Sequence, residues 1–92
     1  MAVMIDIKRA HNLDPEEVRQ RVQELVTRLH EQVKVHYQWE GPDLSFTRKG
    51  VRGRIHIGGT EVRIEVHLSV LHRLLKRKIE AEIHSYLDAN LG

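Results

Sequence analysis

Seven histidines among ninety-two residues are the side chains here best able to do chemistry, as metal ligands or as proton carriers near neutral pH. A zinc centre needs at least three ligands converging at around 2.0 to 2.1 Å from the ion. The spacing disperses them instead. His56 is expected opposite Glu61, His36 opposite Thr47 and His67 near the Gly50 turn, while His72 and His84 face different ways on one helix. His11 lies between a strand and a helix cap, where a hydrogen bond tying down the loop is a plainer reading than a ligand or a proton carrier. No metal site is expected.

Catalysis by carboxylates requires burial or a neighbour that shifts a pKa, and Glu61 and Glu65 fall on an exposed sheet face where neither is at hand. Gly50, Gly53, Gly58 and Gly59 suit hairpins better than a phosphate-binding loop, which needs a following helix and its lysine. The chain therefore reads as a non-enzyme with no cofactor.

Basic residues raise two binding readings. Lys34, Lys49, Arg52, Arg54 and Arg63 should project from the outer sheet face, but Glu40, Glu61 and Glu65 share it. Tyr37, Trp39 and Phe46 fall on the buried side by pattern, so the stacking platform of a sheet-based RNA reader is missing and nucleic acid is not the expected partner. The second cluster is His72, Arg73, Lys76, Arg77 and Lys78 beside Leu71, Leu74 and Leu75. Its ordinary reading is a core stripe flanked by exposed Lys76–Glu80 and Lys78–Glu82 pairs. Its functional reading is an interface, Leu71, His72, Arg73, Leu74, Leu75, Lys76 and Arg77, meeting anionic lipid or a protein.

These residues are positioned by elements that the hydrophobic period marks out. Val3 to Arg9 reads as a strand with Ile5 and Ile7 on one face. Asp14 is placed to cap a helix, with Pro15 at its first position, Glu17 closing a capping box and Leu13 stapled on Val18. Val18, Val22, Leu25, Val26, Leu29 and Val33 then form one apolar stripe, which predicts a helix from Pro15 to about Gln32 with Glu17–Arg21 and Glu24–Arg28 pairs outside.

The period next drops to two, giving strands around Val35, Tyr37 and Trp39, then Leu44 and Phe46, then Val51, Ile55 and Ile57, then Val62 to Leu68. Turns at Gly41-Pro42, Lys49-Gly50 and Gly58-Gly59 imply an antiparallel meander. Two-residue loops pair Trp39 with Leu44, Tyr37 with Phe46, Phe46 with Gly53, Leu44 with Ile55, Ile55 with Val62, Ile57 with Thr60 and Val51 with Val66. Gly53 beside Phe46 predicts a bend. A last helix is predicted over Val70 to Leu91, with Ser69 as its cap. The fold class is α+β, in the order β-α-β-β-β-β-α, with both helices on the apolar face of a curved, mainly antiparallel sheet in one domain, 1–92.

Composition agrees with a folded chain: 40% of residues are hydrophobic, 30% are charged and none is cysteine, so no disulfide or thiolate site supplements a modest core. A formal charge of +2 is too small to announce a polyanion binder. Met1 to Ile7 lacks a signal-peptide pattern and no apolar run approaches the roughly 18 residues of a membrane span, so a cytoplasmic protein is expected.

Several stretches resemble the polyhydroxyalkanoic acid system family, in order and over nearly the whole chain. They are Arg9-Ala10-His11-Asn12-Leu13, Tyr37-Gln38-Trp39-Glu40-Gly41, the run from Phe46 through Arg48 and Gly50 to Gly53, and Lys76 with Ile79 to Ile83. The resemblance implies a small bacterial protein encoded near genes for making, using or coating polyhydroxyalkanoate granules. Leu68 to Leu75 departs from the family pattern, which is glycine-rich and more apolar there. The implied role is a non-enzymatic accessory protein of polyhydroxyalkanoate metabolism, working at or near the granule through protein or interface contacts. Granule-associated proteins, the granule surface and a second copy of the chain are its expected partners. The rivals are a small apolar-ligand binder with an acyl-chain pocket between sheet and helices, and a weak nucleic-acid-binding domain.

Overall fold

The computed structural model describes residues 2–91. Its chain order is β1 (Ala2–Ala10), α1 (Pro15–Val33), β2 (His36–Glu40), β3 (Asp43–Arg48), β4 (Val51–Ile57), β5 (Glu61–Ser69), a 3₁₀ turn (Val70–His72) and α2 (Leu75–Asn90). The strands make one antiparallel sheet in the spatial order β1-β5-β4-β3-β2. The α+β class and the element order are those read from the sequence. The place of β1, which the sequence leaves open, is the edge beside β5, with Ile5 opposite Val66 and Ile7 opposite Ile64.

One face of the sheet is apolar because alternate residues of every inner strand are, and a strand turns alternate side chains to the same side. Val51 and Ile55 of β4 and Val62, Ile64, Val66 and Leu68 of β5 are buried. Both helices cover this face and join one core cluster: α1 through Val18, Val22, Leu25, Val26, Leu29 and Val33, and α2 through Ile79, Ile83, Tyr86 and Leu87. The opposite face is left to solvent, and among the described residues no polar or charged one is buried.

Pairings in the first two hairpins match the sequence reading, with Trp39 opposite Leu44, Tyr37 opposite Phe46 and Phe46 opposite Gly53. The β4–β5 register differs by two residues: Ile57 faces Val62, Ile55 faces Ile64 and Val51 faces Leu68. The turn closes one step later than Gly58-Gly59, with the Gly58 N–H donating to Glu61 O at 2.8 Å. A slip of two keeps every side chain on its face, so the apolar pattern cannot discriminate between these registers. His56 therefore opposes Arg63 and not Glu61, and His67 opposes Arg52 and not the Gly50 turn.

Other expectations are corrected at the helix ends. Asp14 holds the cap position but makes no side-chain cap bond, so the capping box with Glu17 does not form. In place of the expected pairs along α1, contacts run between the helices: Arg28 forms an ion pair with Glu82 at 3.6 Å, and Glu24 accepts a hydrogen bond from the Tyr86 hydroxyl at 2.6 Å. The last helix begins at Leu75, five residues after the predicted start at Val70.

Candidate functional site

That late start determines what the Leu71 to Arg77 segment displays. β5 ends where the Ser69 N–H donates to Gly50 O at 2.9 Å, and the chain then turns tightly, Arg73 N–H donating to Val70 O at 3.3 Å and Lys76 N–H to Arg73 O at 3.1 Å. A 3₁₀ turn has three residues per turn, so side chains three apart eclipse. Leu71 and Leu74 consequently leave the stripe that Leu75 and Ile79 carry into the core and stand in water, 91% and 85% exposed. Both lie outside the core stripe to which helical spacing assigned them.

The segment is anchored by His72. Its ring lies over Gly50, where an added Cβ would collide with it, and its Nδ1 is 2.8 Å from the Ser69 hydroxyl. Gly50 has φ +80, a left-handed conformation that suits glycine. Two demands thus fall on one residue: the turn needs its backbone freedom, and the imidazole needs the missing side chain.

Other exposed groups gather at the same end of the sheet. Val70 is 39% exposed and Met4, paired with His67, is 45% exposed. Lys49, Arg52, Arg73 and Arg77 are exposed cations here, and Lys76 is half-buried. No Asp or Glu occurs in the sequence from Ser45 to Thr60 or from Val66 to Ile79. An open depression of about 580 Å³ lies beside the segment, between Thr47, Arg48, Arg52, His67 and Ser69. Along these two stretches the chain carries cations without an intervening carboxylate, and the nearest acidic side chain beside Arg52 and His67 is Glu65.

The positions that carry the family resemblance mostly hold the architecture. Arg9 donates to Asp88 Oδ1 at 2.6 Å and to His84 Nδ1 at 2.9 Å, tying β1 to α2. His11 accepts from the Leu13 N–H at Nδ1, 3.2 Å away, which leaves Nε2 to donate to Gly58 O at 3.2 Å. The loop before α1 is thereby fixed to the β4–β5 turn, and Leu13 packs on the core. Arg48 donates to Val33 O at 2.9 Å and satisfies a carbonyl at the end of α1. Phe46 covers Gly53, where a Cβ would overlap its ring. Of these positions Gly50 touches the exposed segment, through His72, and Lys76 belongs to it.

On the solvent face, Asp43 meets His56 and Arg54, and the bond from His56 holds its carboxyl below the usual carboxylate range. Arg63 stands 3.3 Å from Asp6, the main cause of a raised guanidinium pKa, and 2.9 Å from Glu65, where its Nε is not aligned for a hydrogen bond. Ion pairs thus interleave both signs across this face. Among the described residues no three His, Asp or Glu side chains come together.

The aromatic placement is corrected in part. Phe46 is buried, but Tyr37 is 40% exposed and Trp39 half-buried. Both belong to β2, the edge strand, where α1 covers only the near side. Gln23 joins them, donating to the Tyr37 hydroxyl at 3.0 Å and accepting from Trp39 Nε1 at 2.8 Å, while the Arg19 guanidinium lies 3.9 Å from the Trp39 ring centre. These rings brace the flank of α1.

No helix among the described residues is long and apolar enough to cross a membrane. Neither the curated proteins nor the solved structures contain a match to the chain. The family model described as Putative polyhydroxyalkanoic acid system protein matches residues 5–91, from the inward face of β1 to the end of α2. Apart from the first three residues of β1, every element described above falls within that match, and the chain belongs to the polyhydroxyalkanoic acid system protein family.

Proposed function

We propose that this chain is a non-enzymatic accessory protein of polyhydroxyalkanoate metabolism, acting in the cytoplasm at or near the storage granule through contacts made by its Leu71–Arg77 end. Family membership supplies the polymer context. The observation that carries the rest is the exposure of Leu71 and Leu74 beside Arg73, Lys76 and Arg77. These water-facing leucines contribute little to the core, and apolar side chains exposed together beside cations are the mark of an interaction surface.

An acyl-chain binder would need space between the helices and the sheet. That layer is filled by Leu25, Leu29, Leu44, Phe46, Ile55 and Ile83, all buried in one cluster, which favours the interface reading. Fluorescence microscopy in polymer-accumulating cells tests the proposal. The native chain should collect at granules and the double variant Leu71→Ser/Leu74→Ser should disperse. An even signal for the native chain, unaltered as granules form, would count against it.

A further inference from the structure

Resting on that interface reading, we propose that what the Leu71–Arg77 end touches is an anionic lipid surface, with Leu71 and Leu74 entering below the headgroups and Arg73, Lys76, Arg77 and Lys49 meeting phosphates around them. The charge pattern singles out this occupant. A protein partner would ordinarily be met by aromatic residues in a patch depleted of lysine, whereas this patch is centred on leucines in a stretch, Val66 to Ile79, whose charged side chains are all basic. A second copy of the chain fits poorly: two-fold pairing would set these cations against each other, and two leucines fall far short of the roughly 800 Å² per partner that a stable contact needs. A lipid layer offers negative charge at every lateral position, so flexible cations at different heights and angles can each find a headgroup while the apolar side chains go beneath.

Local structure supports the same occupant. The first turn of α2 has no acidic residue and no side-chain cap, so nothing there offsets the attraction between its N-terminal end and an anionic layer. Val70, next in the chain to Leu71, is exposed as well. Depth stays shallow, because Leu75 and Ile79 are committed to the core and hold the segment at the surface of the fold.

The test is co-sedimentation of the full chain with vesicles of phosphatidylcholine alone and of phosphatidylcholine mixed with phosphatidylglycerol. Binding should require the anionic lipid and weaken as salt is added. Replacing Arg73, Lys76 and Arg77 by Gln should weaken it about a hundredfold, since each cation near such a surface is worth roughly a factor of five. Leu71→Ser/Leu74→Ser should weaken it at least about tenfold with the charge intact. Equal binding to both vesicles, indifference to the leucine change, or no binding by the native chain would each overturn the lipid assignment; the native salt titration decides even where a variant misfolds. The two readings separate cleanly. A chain that reaches granules through Leu71 and Leu74 but ignores vesicles has a protein or the polymer as its occupant there, whereas one that binds anionic vesicles yet stays dispersed in polymer-storing cells retains the lipid assignment and loses the granule role.

Discussion

Two glycines show how single residues set this molecule's surface and its interior. Gly50 meets two separate constraints, a φ of +80 and the His72 ring, while Gly53 meets only one, the Phe46 ring. Gly50→Ala should lower unfolding free energy by about 2 kcal/mol, combining the left-handed penalty with displacement of the imidazole. Adding His72→Ala should recover the contact part and leave the backbone part, a non-additivity that a double-mutant cycle in denaturant would measure. Full additivity would mean that the imidazole does not rest on Gly50. At Gly53 the analogous Ala change should cost about 1 to 3 kcal/mol by overpacking alone, and Phe46→Leu should relieve part of it.

Elements differ in how far the sequence revealed them, and the difference follows from what each signal can encode. The α1 stripe was legible residue by residue because a helix buried on one face leaves a period that little else produces. The β2–β3–β4 pairings were legible because their turns contain Gly41 and Gly50, both at positive φ, which pin the loops. The β4–β5 register was two residues out because its glycines leave the closing pair undecided and alternation repeats every second residue. Of the candidate site, the residue types and the cationic block were legible, but the outward turn of Leu71 and Leu74 was not. A 3₁₀ turn and the first turn of an α-helix share nearly the same backbone angles, and their apolar spacing differs too little to separate over five residues. The end of α1 carries a left-handed residue that is not glycine. Lys34 sits there with φ 63, a conformation that costs a side-chain-bearing residue and not glycine. Lys34→Gly should raise stability by a few tenths to about 1 kcal/mol in urea unfolding, and a loss would mean that its side chain makes a contact worth more than the backbone strain.

At the scale of the whole molecule, stability against pH should be limited from both sides by contacts joining distant parts of the chain. On the acid side, the bond from His56 holds Asp43 below its ordinary carboxylate pKa. Its stabilisation is present above that ordinary value, about 3.9, and disappears as pH falls through the lower folded value, so Asp43→Asn should flatten the acid limb of a stability–pH curve. On the alkaline side the clamp between the helices governs. Burial, and then the hydrogen bond to Glu24, push the Tyr86 phenol well above its ordinary value. The folded chain therefore keeps that proton when the unfolded chain has released it. The resulting stabilisation is complete below the unfolded pKa of about 10 and declines as pH rises from there toward the folded value. Tyr86→Phe removes both the titration and the bond. At neutral pH it should cost about 1 kcal/mol, because the ring still fills its place in the core and only the Glu24 contact is lost. Above about pH 10 the native chain should weaken with rising pH more steeply than the variant, so the gap between them narrows. Parallel curves across that range would show that the phenol ionises alike in both states, and that the α1–α2 seam depends on packing and on Arg28–Glu82 without the Tyr86 proton.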